Sequence, residues 1–291
     1  MPESKYGKYI LRGTEKKQSI PETSSVVLGG AEDWNGIQHR INWQYVSGPN
    51  VMVEEPHTHD FDKFLVFLGT NPANADDFDA EIELTLGEEG ETYTINTATV
   101  VVIPKGMVHC PLNFKRIGKP ILFCNIYLAT EYVKTAWAGQ FTKTTGSKYE
   151  KYIIREPKKG EPRKLDSEAW GVSITEEITS KIGKFNCNFN FLGIMGPHVL
   201  PDPPHQHNCD EILFLIPGTS GTGPDLGGEV ELAFGEEWEK QTITTAAIVC
   251  LPKEIVHCPV YIKKVDKPFY WGHILFASSY DSSAFNPERP L

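Results

Sequence analysis

The chain has 291 residues, 40% hydrophobic and 23% charged, enough for two domains that each bury a core. A net charge of −10, with the lysines and arginines scattered, works against nucleic acid or an anionic membrane as a partner. The opening MPESKYGKYILRGTEKK has no signal-peptide core, no stretch reaches the length of a membrane span, and the six cysteines show neither CxxC spacing nor a disulfide framework. Reduced thiols and a cytoplasmic setting are therefore expected.

In chain order, KYGKYILR at 5–12 returns as KYEKYIIR at 148–155, an offset of 143. INWQYVSGPNV at 41–51 lies over FNFLGIMGPHV at 189–199, and AEIELTLGEEGETYTINTATVVVIPK at 80–105 aligns without a gap on GEVELAFGEEWEKQTITTAAIVCLPK at 228–253, both at an offset of 148. Self-similarity over most of a chain means a duplicated unit. We expect two domains, 1–140 and 141–291, joined within 129–147, where no counterpart pattern is evident until KYEKY restarts the unit.

Within each unit the signal is β. FDKFLVFLG, TVVVIP and ILFCNIYLA are short runs rich in β-branched and aromatic residues, separated by turn signals such as GEEGE and GPN. EIELTL alternates, placing Ile82, Leu84 and Leu86 on one face and Glu81 and Glu83 on a solvated one. The Gly-Glu-Glu sequences at 87–89 and 235–237 read as hairpin tips, and only 130–138 hints at helix. Many short strands at regular spacing predict an all-β sandwich or barrel.

Six of the nine histidines fall into two copies of one constellation: His57, His59 and His109, then His205, His207 and His257. Side chains on a strand alternate faces, so an HxH pair projects two imidazoles into one space and the residue four further on joins them. That residue is Glu211 in the second copy and Lys63 in the first. The third histidine arrives on another strand. Imidazole and carboxylate suit Fe(II), Mn(II), Ni(II), Co(II) or Zn(II), with positions left open for substrate. The same alternation turns Cys110 and Cys258 away from the ligands. His39 and His198 are expected to be structural. His273, on a strand expected to line the second barrel next to His257, is a candidate proton shuttle.

HxH, three residues, Glu, and some 45 residues later Pro-x-x-x-x-His together resemble the two motifs of the cupin superfamily, and two such units resemble a bicupin. The resemblance implies two small double-stranded β-helix (jelly-roll) barrels and one divalent transition metal (Mn, Fe, Ni or Zn) at His205, His207, Glu211 and His257. A second metal at His57, His59 and His109 is an open alternative, because some cupins use three histidines and others let one site degenerate. The sequence departs from the pattern in the turn before the second motif, Ala98-Thr99 and Ala246-Ala247, and where Glu254 replaces Gly106. Cupins include dioxygenases, decarboxylases, isomerases, C–C hydrolases and seed-storage proteins, and fold does not choose among them. The expectation is a metal-dependent enzyme acting on a small oxygenated substrate of β-dicarbonyl, enol or keto-acid type. It would cleave a C–C bond by dioxygenation, with hydrolytic cleavage or decarboxylation as alternatives and a non-catalytic binding bicupin as the competing class. His273 and Lys63 are the candidate acid–base residues, and homo-oligomerisation is compatible with the chain.

Overall fold

The computed structural model describes residues 4–16, 23–29, 39–74, 77–142, 146–155, 171–174, 182, 187–200, 203–219, 221, 223–277 and 283–284. It is built almost wholly of antiparallel strands, arranged as two β-sandwich barrels. In the first, a seven-stranded sheet runs in the order Ile153–Arg155, Thr99–Ile103, Lys63–Gly69, Ile121–Tyr127, Arg40–Val46, Thr23–Gly29, Thr14–Lys16. It faces a sheet ordered Thr135–Ala136, His57–Thr58, His109–Ile117, Ala80–Leu86, Glu91–Ile95. The second barrel repeats the plan. Ile10–Arg12, Ala247–Leu251, Glu211–Pro217, Phe269–Leu275, Asn188–Ile194 and Gly171–Ile174 form one sheet, facing another centred on Asp225–Phe234 and His257–Val265.

The fully apolar runs form the strands with two buried faces. Lys63–Gly69 is buried at every position, because one face fills the barrel and the other packs on the second half. Ala80–Leu86, which alternates in sequence, buries Ile82 and Leu84 and exposes Glu81. Three apolar clusters result: one inside each barrel and one between them. The cluster between them joins Trp43, Phe64 and Cys124 to Phe189, Phe214 and Ile274, with Phe64 stacked on Phe189 at 5.0 Å. Tyr270 donates across it to the carbonyl of Gly69 at 2.7 Å, and Tyr45 to that of Pro217. Removing either stacked phenyl ring would cost about 3–5 kcal/mol, so this contact behaves as core rather than as a hinge.

Each half also lends its opening segment to the other. Ile10–Arg12 pairs with Ala247–Leu251 of the second barrel, and Ile153–Arg155 with Thr99–Ile103 of the first. Tyr6 stacks on Phe234 at 5.5 Å and donates to Glu237, which also takes Lys5 at 2.6 Å; Tyr149 and Lys148 hold Glu89 in the same way. The Gly-Glu-Glu hairpin tips are thus the clasps for the exchanged arms. Their glycines are required: at Gly87 and Gly235 the backbone is left-handed, and an added Cβ would lie 2.0 Å from the Tyr149 ring and from the Tyr6 hydroxyl respectively.

The helix expected at 130–138 does not form. Thr135–Ala136 pairs with His57–Thr58, and the Trp137 amide donates to the carbonyl of Pro56 at 3.0 Å. Strand pairing against the HxH segment overrides local helical propensity. The segment has a counterpart after all: Ser283–Ala284 pairs with His205–Gln206, and ATEYVKTAW aligns with ASSYDSSAF at the common offset of 148. Among the described residues no helix is long and apolar enough to cross a membrane.

Candidate metal centre

The same three-strand device builds both sites. Each HxH motif enters on a two-residue strand that pairs with the first residue of a long strand: His57 opposite His109, and His205 opposite His257. The turn preceding the third histidine then pins the pair, since the amide of Gly106 donates to the backbone carbonyl of His59 and that of Glu254 to the carbonyl of His207, at 2.9 and 2.8 Å. Both turn residues have left-handed φ, 78° and 68°, and a Cβ at Gly106 would meet nothing within 4 Å, so the second copy carries a glutamate there at the cost of backbone strain alone.

The two imidazole triads superpose closely. His57 and His59 ring centroids lie 4.8 Å apart at 78°, as do those of His205 and His207; His57–His109 and His205–His257 are both 4.4 Å. In His57, His109, His205 and His257 the Nδ1–H donates to a backbone carbonyl two residues earlier, at 2.7–2.9 Å. His59 Nδ1–H donates to the carbonyl of Val133 at 2.6 Å. A carbonyl only accepts, so in the neutral rings of His57, His59, His109 and His205 Nε2 carries the lone pair. Burial lowers the imidazole pKa of His57, His109 and His205, and brings His59 to about 4, so these rings are neutral near pH 7.

What stands opposite the lone pairs differs. In the second barrel Glu211 Oε2 lies 3.4 Å from His207 Nε2 and 3.1 Å from His257 Nε2. A carboxylate held this close to two imidazole nitrogens needs a positive charge between them, a shared proton or a metal ion. Burial alone would raise the Glu211 pKa, but the facing imidazoles of His207, His257 and His273 outweigh it and hold the group well below the usual range. An anionic oxygen with imidazole nitrogens beside it, all buried, fits a divalent transition metal.

In the first barrel Lys63 occupies the matching place. Its Nζ lies 3.3 Å from Nε2 of His59 and 3.3 Å from Nε2 of His109, donating to both lone pairs. Two of the three acceptors that would ligate an ion are already engaged by an ammonium, so a divalent metal would have to displace Lys63.

Of the two candidate acid–base residues, Lys63 is therefore at the centre of the first site. His273 reaches the second through Glu211: Nδ1 is 3.4 Å from Oε1, and Nε2 is 3.4 Å from Asn188 Oδ1. His39 packs against Cys250 across the interface between the halves, and His198 bonds its own loop. Cys110 and Cys258 are buried, but not wholly turned away as alternation implies. Each thiol lies within 4.8 Å of two site histidines, because left-handed φ at both (80° and 70°) breaks the alternation. Burial pushes the Cys110 thiol up to about 11, which keeps it protonated. The sequence reading missed Tyr132, whose ring lies 4.8 Å from His59 and 5.4 Å from Lys63 Nζ. Its shared place with Tyr280 was the available signal.

No protein-family model matches the chain, and no curated protein matches it by sequence. Solved structures do. Oxalate decarboxylase from Bacillus subtilis is 10% identical with a TM-score of 0.61, over 94% of this chain and 78% of that one. The fold is that of a two-barrel cupin. Hazelnut (Corylus avellana) vicilin is 11% identical with a TM-score of 0.58, over 94% of this chain and 87% of its own. The Momordica charantia 7S globulin is 10% identical with a TM-score of 0.60, over 94% and 85%. Mn(II) centres are described for the decarboxylase. At such identities the likeness is one of fold, and the chemistry has to come from the site.

Proposed function

We propose that this chain is a metal-dependent cupin enzyme that acts at its second barrel on a small oxygenated molecule and cleaves a carbon–carbon bond. The observation that carries the reading is the buried Glu211 carboxylate within 3.4 Å of the imidazole nitrogens of His207 and His257. His205, His207, Glu211 and His257 would hold the ion. When bound, it supplies Lewis acidity to a carbonyl or carboxylate that chelates it. Glu211 would bring one negative charge against the two positive charges of the ion, so the centre stays cationic and attracts an anionic keto acid or enolate. His273 steadies the outer oxygen of Glu211, and the buried surroundings of the site exclude bulk water.

The sequence reading favoured dioxygenation; the likeness to oxalate decarboxylase lends weight to the decarboxylative form of the same cleavage. Oxalate, 2-keto acids and a β-diketone, each incubated with full-length protein with and without oxygen, separate the forms. Oxygen consumption in step with product supports dioxygenation, carbon dioxide with no net oxygen uptake supports decarboxylation, and diketone cleavage without oxygen supports hydrolysis. The likeness to vicilin and the 7S globulin supports a second reading, a binding protein without chemistry. Protein that holds no metal and turns over none of these compounds would favour it.

A further inference from the structure

Lys63 is a buried cation with an unusual set of neighbours. Its side chain is 3% exposed, and among the described residues no carboxylate lies within ion-pair distance of it. Two of its three N–H bonds go to His59 and His109. The third histidine, His57, is 1% exposed, and its Nε2 is a buried acceptor with no hydrogen-bond partner. Its ring lies 4.4 Å from that of His109 and 4.8 Å from that of His59, so the lone pair sits beside the ammonium. The first site thus offers one cationic N–H donor and, next to it, one acceptor lone pair. Tyr132, 38% exposed, stands over Lys63 at 5.4 Å and separates it from solvent. A buried ammonium without a counter-ion and a buried acceptor without a donor are each unfavourable alone. One ligand relieves both: a small anion with an acceptor oxygen and an O–H side by side.

We propose that the first barrel is a metal-independent site for a small hydroxy acid, in which the Lys63 ammonium takes the place of the divalent cation. The carboxylate accepts from Lys63, and the neighbouring hydroxyl donates to His57 Nε2. The proposal uses the first barrel alone and stands whether or not the second is catalytic. Burial lowers the Lys63 pKa only to about 8, which leaves the ammonium charged at neutral pH, as the ligand requires. Discrimination follows from the same geometry, because an analogue without the hydroxyl leaves His57 Nε2 buried and unpaired.

Calorimetric titration of glycolate and acetate into the full-length chain, as purified and after chelator treatment, tests this. We expect one glycolate per chain that survives chelation, with acetate at least tenfold weaker. Lys63→Met should abolish binding of both, and His57→Ala should remove the preference while leaving weak acetate binding. Glycolate binding that disappears with the chelator would assign it to the second barrel and overturn the proposal, while leaving the proposed function intact. Equal affinity for glycolate and acetate in the chelated natural chain would also overturn it, and that comparison needs no variant to fold. In the same protein Lys63→Glu should create a second metal equivalent; a second equivalent already present in the natural chain would contradict the assignment.

Discussion

The two barrels place matched imidazole triads on matched strands, and one residue on each reverses the electrostatics. At that place a carboxylate oxygen stands 3.1 and 3.4 Å from two ring nitrogens in the second barrel, and an ammonium stands 3.3 Å from two in the first. The scaffold therefore does not decide what is bound. Where the fourth group is a carboxylate, it meets imidazole nitrogens and a cation fits between them; where it is an ammonium, two of the three lone pairs are already satisfied. Duplication let one copy keep an anion opposite the triad while the other installed its own charge.

Exchanging the charges should break the difference most severely. Glu211→Lys places a buried ammonium where the ion would sit, and the second site should lose its metal and the chain its activity. Competitive chelation reads the lost metal, and the uncompensated buried charge should lower stability in urea by about 3–5 kcal/mol. The third histidines give the next contrast. His257→Ala should strip most of the bound metal on elemental analysis. His109→Ala should leave metal content unchanged but remove one acceptor of Lys63, lowering stability in urea by about 1–3 kcal/mol. Equal metal loss from the two variants would show that the barrels are equivalent.

Much of this arrangement was legible in the sequence, and what was not has identifiable causes. The duplication, the strands and the grouping of His207, Glu211 and His257 follow from period-two alternation and a constant offset, both local properties. The arm exchange left only a trace, the offset of 143 in place of 148, because nothing local says which barrel a strand joins. The segment at 130–138 was misread as helix because its partner, His57–Thr58, lies more than 70 residues away. Cys110 and Cys258 escaped alternation through a left-handed φ that the side chain does not advertise. The Lys63–Glu211 contrast was visible as letters, but its meaning needed distances.

A finer contrast concerns His273, which contacts Glu211 in the second barrel and is matched in the first by Asn125. His273→Ala should weaken metal binding by about 10–100-fold, as loss of a group that orients a ligating carboxylate does, and His273→Asn should restore part of it. Unchanged affinity in both variants would remove His273 from the site. The smallest effect is in the pH dependence of stability. Burial lowers the Lys63 pKa from 10.5 to about 8, so between these values the unfolded chain binds more protons and stability rises with pH. The cost of holding Lys63 charged is fully present below pH 8, on the order of 3 kcal/mol, and is relieved towards pH 10.5. Urea unfolding of the natural chain and Lys63→Met across this range should show a slope that only the former carries.

The most direct test of the account is the number of divalent ions the natural full-length chain holds after stripping and reloading with Mn(II), counted by elemental analysis with the excess removed. The account predicts one per chain, lost in Glu211→Lys and retained in Lys63→Met; two per chain, or one that survives Glu211→Lys, would contradict it.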